Sequence, residues 1–179
     1  MPDTQPGGIG LQHLSIGDVE SGPLLDALNH WKDLSAERPA PEWRDIDLAR
    51  FPPSLLPMAA VVDVINGGGD FRYRYWGSGL TRLFGRDETG SLLSELANAK
   101  SSHIRFQQLR QVVAESQPSA FQTTFMESRG LLAAKANLRL PVADQPGEVT
   151  KIISLSTVSR INMSSFDDLS DHFVQPGPN

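Results

Sequence analysis

Three neighbouring stretches near the end of the chain alternate apolar and polar residues with a period of two, and they constrain the fold more than any other feature. They read AFQTTFMES, LLAAKANLRLPV and VTKIISLSTVS, and the turn signals RG and DQPGE separate them. A period of two is that of a β-strand with one face buried, and short turns join antiparallel neighbours. In the middle stretch Leu138 belongs to the apolar face, whereas Lys135, Asn137 and Arg139 lie on the other. These stretches predict an antiparallel sheet.

A further pair of strands and a helix precede these stretches. MAAVVDVI and FRYRYW flank the turn NGGGD, which predicts a hairpin that points Phe71, Tyr73 and Tyr75 inward. SSHIRFQQLRQVVAES carries Phe106 and Leu109 on one apolar stripe, which indicates a helix. Two strands, short helical pieces, a longer helix and three strands predict an α+β architecture with an antiparallel sheet and helices on one face.

An amphipathic helix is predicted near the N-terminus, over PLLDALNHWKDL. A helix of this length is marginal without packing, so its apolar stripe must be covered. The cover is either the other face of the sheet or the same helix of a second subunit. We expect the second, a homodimer interface made by Leu24, Leu25, Leu28, Trp31 and Leu34.

The chain divides into four predicted segments. Residues 1–20 are expected to be flexible, and residues 21–56 to form the N-terminal helix and a structured linker. Residues 57–160 form the sheet-and-helix core. Residues 161–179 contain DDLSDHFVQPGPN, which is acidic and then interrupted by Pro and Gly, as is typical of a flexible acidic tail.

Composition excludes several classes of function. The chain has no cysteine, which excludes disulfides, thiolate metal sites and cysteine-linked flavins or chromophores. Its net charge of −5 offers no basic surface for nucleic acid. The start lacks a basic leader and no run of 18 apolar residues occurs, so we expect a cytoplasmic protein without membrane contact. The histidines His13, His30, His103 and His172 lack the spacing that converges on zinc, and no metal site is predicted.

The segment WGSGLTR raises the question of phosphate binding. A dinucleotide fingerprint needs a third glycine three residues after the second, and Arg82 stands there. Ser78 is not in a Gly-x-Ser-x-Gly elbow. We therefore interpret Gly77 and Gly79 as a bend that follows a strand and predict no catalytic residue. Acid–base chemistry stays open, because carboxylates converge in space rather than in order, although solvated or capping roles are favoured for Asp63, Asp87, Glu88 and Glu95.

Aromatic residues on the predicted strands and helices suggest a small-molecule cavity, since ligand pockets are concave and mostly apolar. A filled core would use the same residues, so both interpretations stay open. Arg74 lies between two tyrosines of the buried pattern and must reach solvent or pair with another group. The candidate pocket residues are Tyr73, Arg74, Tyr75, Trp76, Phe84, Phe106, Leu109, Phe121, Thr123 and Leu138.

The element order and several short sequence motifs resemble those of the PAS domain family, in particular a single-domain bacterial subgroup long catalogued as a domain of unknown function. The resemblance covers about residues 28–158. The motifs that carry the resemblance include HWKDL, RDIDLARFPPSLLP and FRYRYWGSGLTRLFGRDETGSLLSEL. The most specific positions are Tyr73-Arg74, Gly77, Phe84-Gly85-Arg86-Asp87 and Thr89-Gly90.

The resemblance implies a five-stranded antiparallel sheet that cups small helices and serves ligand sensing and dimerisation, with no catalytic residue. Some PAS domains hold haem through a histidine on the long helix. His103 begins the corresponding helix here, and we expect a surface or capping role for it rather than haem ligation. The identity of any cofactor is not predicted.

The function expected from the resemblance is a sensor or adaptor that binds a small ligand, a signalling protein, or both. About 20 residues follow the last predicted strand, so we expect the output to be supplied in trans. Candidate partners are a second copy of the chain and a histidine kinase or cyclic-nucleotide enzyme. Two alternatives stay open: a small-molecule enzyme on an α+β scaffold, and a ligand-free dimerisation or interaction module.

Overall fold

A computed structural model describes residues 10–14, 16–19, 22–96, 99–126, 132–145 and 147–160. All strand pairings in its sheet are antiparallel. The six strands lie in the order β1-β4-β5-β6-β2-β3. The strands are β1 (Gly10–Leu14), β2 (Ala60–Ile65), β3 (Asp70–Trp76), β4 (Ser119–Met126), β5 (Leu132–Gln145) and β6 (Glu148–Arg160), and the α-helices are α1 (Pro23–Ser35), α2 (Ser78–Phe84) and α3 (Ala99–Glu115).

The five predicted strands and the α+β architecture are confirmed. The sixth strand, β1, was not predicted. It pairs with β4 at one edge of the sheet and lies inside residues 1–20, which the sequence predicts to be flexible. The predicted acidic tail, residues 161–179, lies outside the described residues.

Each face of the sheet carries its own hydrophobic core. On one face α1 and the 3-10 segments between residues 43 and 58 form the α1-side core, which includes Leu28, Trp31, Phe51, Leu55, Leu138, Leu140, Ile153 and Leu155. On the other face α2, α3 and the turn Leu93–Glu95 form the α3-side core, which includes Phe71, Tyr73, Trp76, Leu80, Leu109, Val112 and Ile152. Neighbouring residues such as Ile152 and Ile153 belong to opposite cores because side chains alternate along a strand.

The apolar stripe of α1 lies against the sheet of its own chain. Leu24, Leu28 and Trp31 are buried among residues of β5 and β6, and the indole Nε1 of Trp31 donates to the carbonyl oxygen of Pro141 on β5 over 2.8 Å. Leu25 and Leu34 are partly exposed. The dimer interface expected from this stripe is therefore corrected: most of the stripe is already covered within one chain.

A bulge changes the expected facing of β3. Val61 pairs with Tyr75 and Val62 pairs with Tyr73, so Arg74 is an extra residue without a partner in β2. Phe71 and Tyr73 face the α3-side core as predicted, but Tyr75 packs against the α1-side core. Trp76 takes the inward place that alternation gave to Tyr75.

Candidate ligand pocket between the sheet and the long helix

A cavity of about 270 Å³ lies between the α3 face of the sheet and helices α2 and α3. Its apolar lining is Met58, Ala60, Val62, Trp76, Leu80, Leu83, Phe84, Ile104 and Leu109. Its polar lining is Tyr73, Arg105, Gln108, Lys135, Asn137, Arg139, Ser154 and Ser156. The cavity thus combines an apolar wall with a set of hydrogen-bonding groups.

Strand β5 supplies three of the polar groups because it presents every second residue to the cavity. Lys135, Asn137 and Arg139 line it, while the residues between them turn toward the α1 face. Neighbouring groups hold Asn137 in place. Its Oδ1 accepts from the Ser156 hydroxyl over 3.0 Å, and its Nδ2 donates to the carbonyl oxygen of Phe121 over 3.4 Å.

Arg139 is buried, and neutral groups rather than a carboxylate hold its guanidinium. Nη1 donates to the Ser154 hydroxyl over 2.7 Å, and Nη2 donates to Oε1 of Gln108 on α3 over 2.6 Å. Its Nε is buried and has no partner among the described residues. Burial, opposed by the Tyr73 side chain and assisted by Arg105, lowers the pKa of Arg139 to about 10. The fold therefore keeps a desolvated cation beside the cavity.

Lys135 adds a second cation two residues along the same strand. Burial, together with the positive charges of Arg139 and Arg105, lowers the pKa of Lys135 to about 7. A lysine in this state exchanges its proton near neutral pH. No carboxylate among the described residues forms an ion pair with Lys135 or Arg139.

Arg105 on α3 and Phe84 at the end of α2 complete this part of the cavity. Nη1 of Arg105 donates to the Tyr73 hydroxyl over 3.4 Å. The Phe84 ring has two cations near it: Arg105 Cζ is 5.2 Å and Lys135 Nζ is 5.5 Å from the ring centroid. These are cation–π distances. Phe84 is 46% exposed, so this ring lies where the cavity meets solvent.

The cavity differs from the rest of the surface in its balance of charge. Several cations elsewhere in the described residues have carboxylate partners, for example Arg74 with Asp63 at 2.8 Å and Lys151 with Asp144 at 2.8 Å. The lining residues include three cations and no aspartate or glutamate among the described residues. A chain with a net charge of −5 therefore places an excess of positive charge in one partly enclosed space.

The structure brings together some of the predicted pocket residues and separates others. Tyr73, Trp76, Phe84 and Leu109 line the cavity. Phe106 packs edge-on against Phe71, with ring centroids 5.8 Å apart. The Thr123 side chain lies outside the described residues.

The remaining predicted pocket residues are not among those that line the cavity. Leu138 lies in the α1-side core, Tyr75 packs against that core, and Phe121 is buried. Arg74 is half exposed and pairs with Asp63, which raises the pKa of this arginine. The sequence predicts that Arg74 either reaches solvent or pairs with another group, and in the structure it does both.

Most of the polar lining residues were not predicted as a site. The sequence did place Lys135, Asn137 and Arg139 on one face of a strand, but that face was interpreted as the one opposite the apolar residues. The missed signal is that β5 is an interior strand, with β4 and β6 as neighbours. Helices cover both faces of such a strand here, so a polar face on it is unusual and points to a cavity.

Neither the candidate carboxylates nor His103 reach the cavity. Asp63 pairs with Arg74, Glu88 with Arg86, and Asp87 accepts from the hydroxyl and backbone N–H of Thr89. Glu95 accepts from the backbone N–H of Leu92. The His103 side chain is exposed on α3. Among the described residues no group of three acidic or histidine side chains could hold a metal ion.

Gly77 and Gly79 mark a close approach of two backbone segments. A Cβ on Gly77 would overlap the carbonyl oxygen of Pro57, and a Cβ on Gly79 would lie 2.7 Å from the same oxygen. The close approach of the backbone at Pro57 therefore explains why glycine occupies both positions of the predicted bend. In the part of the chain that the structure describes, no helix is long and apolar enough to span a bilayer.

Comparison with known proteins gives one family. A family model described as PAS domain matches residues 19–156. This range includes every residue that lines the cavity. No curated protein matches the chain.

Proposed function

The chain belongs to the PAS domain family, and from that premise we propose that it is a sensor or adaptor that binds a small molecule in the cavity and acts by contact with other proteins. PAS domains are in general sensory and interaction modules rather than enzymes. The finer features of the proposal are a bound ligand, self-association and a signalling partner. They rest on the cavity and on the family.

The observation that carries the proposal is the cavity between the sheet and helices α2 and α3. Small-molecule sites are concave and mostly apolar with a few placed polar groups, and this one has an apolar wall and hydrogen-bonding side chains from β5, β6 and α3. A domain that served only as a packed interaction surface would have no need of a buried cation such as Arg139 beside an open space, because such a group reduces stability.

The same geometry supports a route from ligand to partner. Gln108 on α3 and Phe84 on α2 both contact the cations of the sheet, so a ligand that displaces or binds these cations changes the positions available to both helices. A ligand shifts a conformational equilibrium only if it binds one state better. The signalling partner in this proposal is a second copy of the chain, a histidine kinase or a cyclic-nucleotide enzyme, in the cytoplasm.

Native mass spectrometry tests ligand binding. The full chain is exposed to a small-molecule extract of bacterial cells, desalted and measured without denaturation. Ala60 lines the cavity and is 5% exposed, so Ala60→Leu should fill part of it. Ala49→Leu, on an exposed 3-10 turn, is the matched control. We expect an adduct on the wild type and on Ala49→Leu that is reduced on Ala60→Leu.

The same experiment separates the alternatives. Equal adducts on all three proteins would place the ligand elsewhere and overturn the proposal. A new product mass released from the extract would favour the enzyme alternative. An adduct-free protein that still captures a partner equally well in its Ala60→Leu form would favour a ligand-free interaction module.

A further inference from the structure

We propose that the ligand of this cavity is a small organic anion with an apolar body, whose charged group is held by Arg105, Lys135 and Arg139. The inference rests on the proposed sensor function and names its ligand class. Carboxylate and phosphate head groups share the required chemistry, and the experiment below distinguishes them.

The lining of the cavity carries positive charge. Arg105 comes from α3, whereas Lys135 and Arg139 come from β5, so two separate elements direct cations to one space. The lining contains no aspartate or glutamate among the described residues. Arg139 is buried, and no carboxylate among the described residues forms an ion pair with it or with Lys135. A buried cation without a counter-charge is costly. An anion in the cavity would remove that cost, and a neutral or cationic ligand would not.

Neutral groups hold Arg139 beside the cavity. The Ser154 hydroxyl and the Gln108 amide oxygen fix its guanidinium at 2.7 and 2.6 Å without neutralising it. Its Nε, and Nε1 of Trp76, are buried without a partner among the described residues. Both side chains line the cavity. A planar guanidinium with donors to spare is suited to the oxygens of a carboxylate or phosphate.

The cavity also has an apolar wall. Leu80, Leu83 and Phe84 line the cavity from α2. Leu83 is 37% and Phe84 46% exposed, so they give the mouth an apolar rim next to the cations. A volume of about 270 Å³ is at the low end for ligand sites. The ligand should therefore carry one charged end and a short apolar body, rather than being a bare inorganic ion.

Four probes of equal chain length test the inference by calorimetry on the full chain at pH 7: octanoate, octyl phosphate, octanamide and octylamine. We expect the two anions to bind at least about tenfold more tightly than the amide, about 1.4 kcal/mol, and the amine to bind least. The ratio of the dissociation constants of octanoate and octyl phosphate identifies the preferred head group.

A pair of variants shows whether the cation Lys135 in the cavity is responsible for binding the anionic probes. Lys135→Met removes one lining cation, and Lys32→Met removes an exposed cation on α1, on the other face of the sheet. Lys135→Met should weaken octanoate binding about tenfold and should raise the melting temperature of the ligand-free protein, since a desolvated charge is removed. Lys32→Met should change neither. This opposite effect on binding and stability excludes simple misfolding.

Each outcome counts for or against the inference. If octanamide binds as tightly as octanoate, the cavity does not select anions, and the inference fails while ligand sensing stands. If no probe binds although native mass spectrometry finds a cavity adduct, the ligand class is wrong and the proposed function again stands. If neither experiment finds a ligand, both fail. Equal loss of binding in Lys32→Met would assign the effect to overall charge and overturn the inference.

Discussion

Nη2 of Arg139 lies 2.6 Å from Oε1 of Gln108, and this bond joins the interior strand β5 to the long helix α3 across a buried space. The partner of the arginine is an amide, so the guanidinium is positioned without being neutralised. A carboxylate at residue 108 would do both. The identity of this one side chain therefore decides whether the charge of Arg139 is neutralised within the protein.

Gln108→Glu tests that relationship with almost no change in shape. The new carboxylate should form an ion pair with Arg139 and occupy the charge that an anionic ligand would use. We expect octanoate affinity to fall at least about tenfold, with the fold retained in circular dichroism. Gln107→Glu, on an exposed position of the same helix, is the control and should retain binding. Unchanged octanoate affinity in Gln108→Glu would mean that Arg139 takes no part in binding.

The lowered pKa of Lys135 predicts a specific dependence of stability on pH. Its pKa is about 7 in the folded chain and about 10.4 in an unfolded one, so between these values the unfolded state binds more protons. Stability should then rise with pH from about 7 to about 10, by at most about 1.4 kcal/mol per unit. The wild type and the variant Lys135→Met share the other charged and titratable groups of the cavity, namely Arg139 on β5, Arg105 on α3 and Tyr73 on β3.

Urea unfolding at pH 7, 8 and 9 measures this slope. In Lys135→Met the slope should be smaller than in the wild type, because the group that gains a proton on unfolding is gone. Lys32→Met should keep the wild-type slope. Parallel pH profiles for the wild type and Lys135→Met would show that Lys135 has an ordinary pKa in the fold.

Local patterns in the sequence predicted the strands, the long helix and the two faces of β5, because alternation and helical periodicity report directly on which side of an element is buried. They did not predict the facing of Tyr75, since the bulge at Arg74 depends on how two strands pair. For the cover of α1 they left two alternatives, and the structure shows the one that was not favoured, because an apolar stripe indicates that it must be buried but not which surface covers it. The site was the hardest part: Arg105, Gln108 and Arg139 converge only through the fold.

Two leucines separate the roles of the two cores. Leu109 and Leu138 are both at most 1% exposed, but Leu109 lines the cavity and Leu138 lies in the α1-side core. Each change to alanine should destabilise the chain by roughly 2–5 kcal/mol in denaturant melts. Only Leu109→Ala should also alter octanoate affinity. If Leu138→Ala changed affinity as much as Leu109→Ala, the division of the sheet into a ligand face and a structural face would be wrong.

The bond from Trp31 to Pro141 tests the intramolecular cover of α1. Pro141 lies in an interior strand and its carbonyl oxygen accepts from the buried indole at 2.8 Å. Trp31→Phe leaves this acceptor unsatisfied and should cost about 1–3 kcal/mol in urea unfolding. Trp43 is only partly buried and packs against the edge of the α1-side core. Trp43→Phe should therefore cost less. Trp31→Glu should disrupt the fold itself; a folded Trp31→Glu protein that only loses self-association in sedimentation would restore the dimer interface.

Gly77 predicts a steric limit where β3 meets α2. Its backbone has an ordinary φ of −67°, so glycine is needed here for space and not for a left-handed conformation. An added Cβ would overlap the carbonyl oxygen of Pro57 and lie 2.7 Å from that of Leu56. Both oxygens belong to backbone, which cannot rotate away as a side chain can, and the Gly77 N–H is bonded to the Ala59 oxygen at 2.8 Å. Gly77→Ala should therefore cost at least about 1–3 kcal/mol, whereas the exposed neighbour Ser78→Ala should stay within about 0.5 kcal/mol of the wild type. Equal midpoints for the two variants in urea unfolding would show that the two segments do not approach this closely.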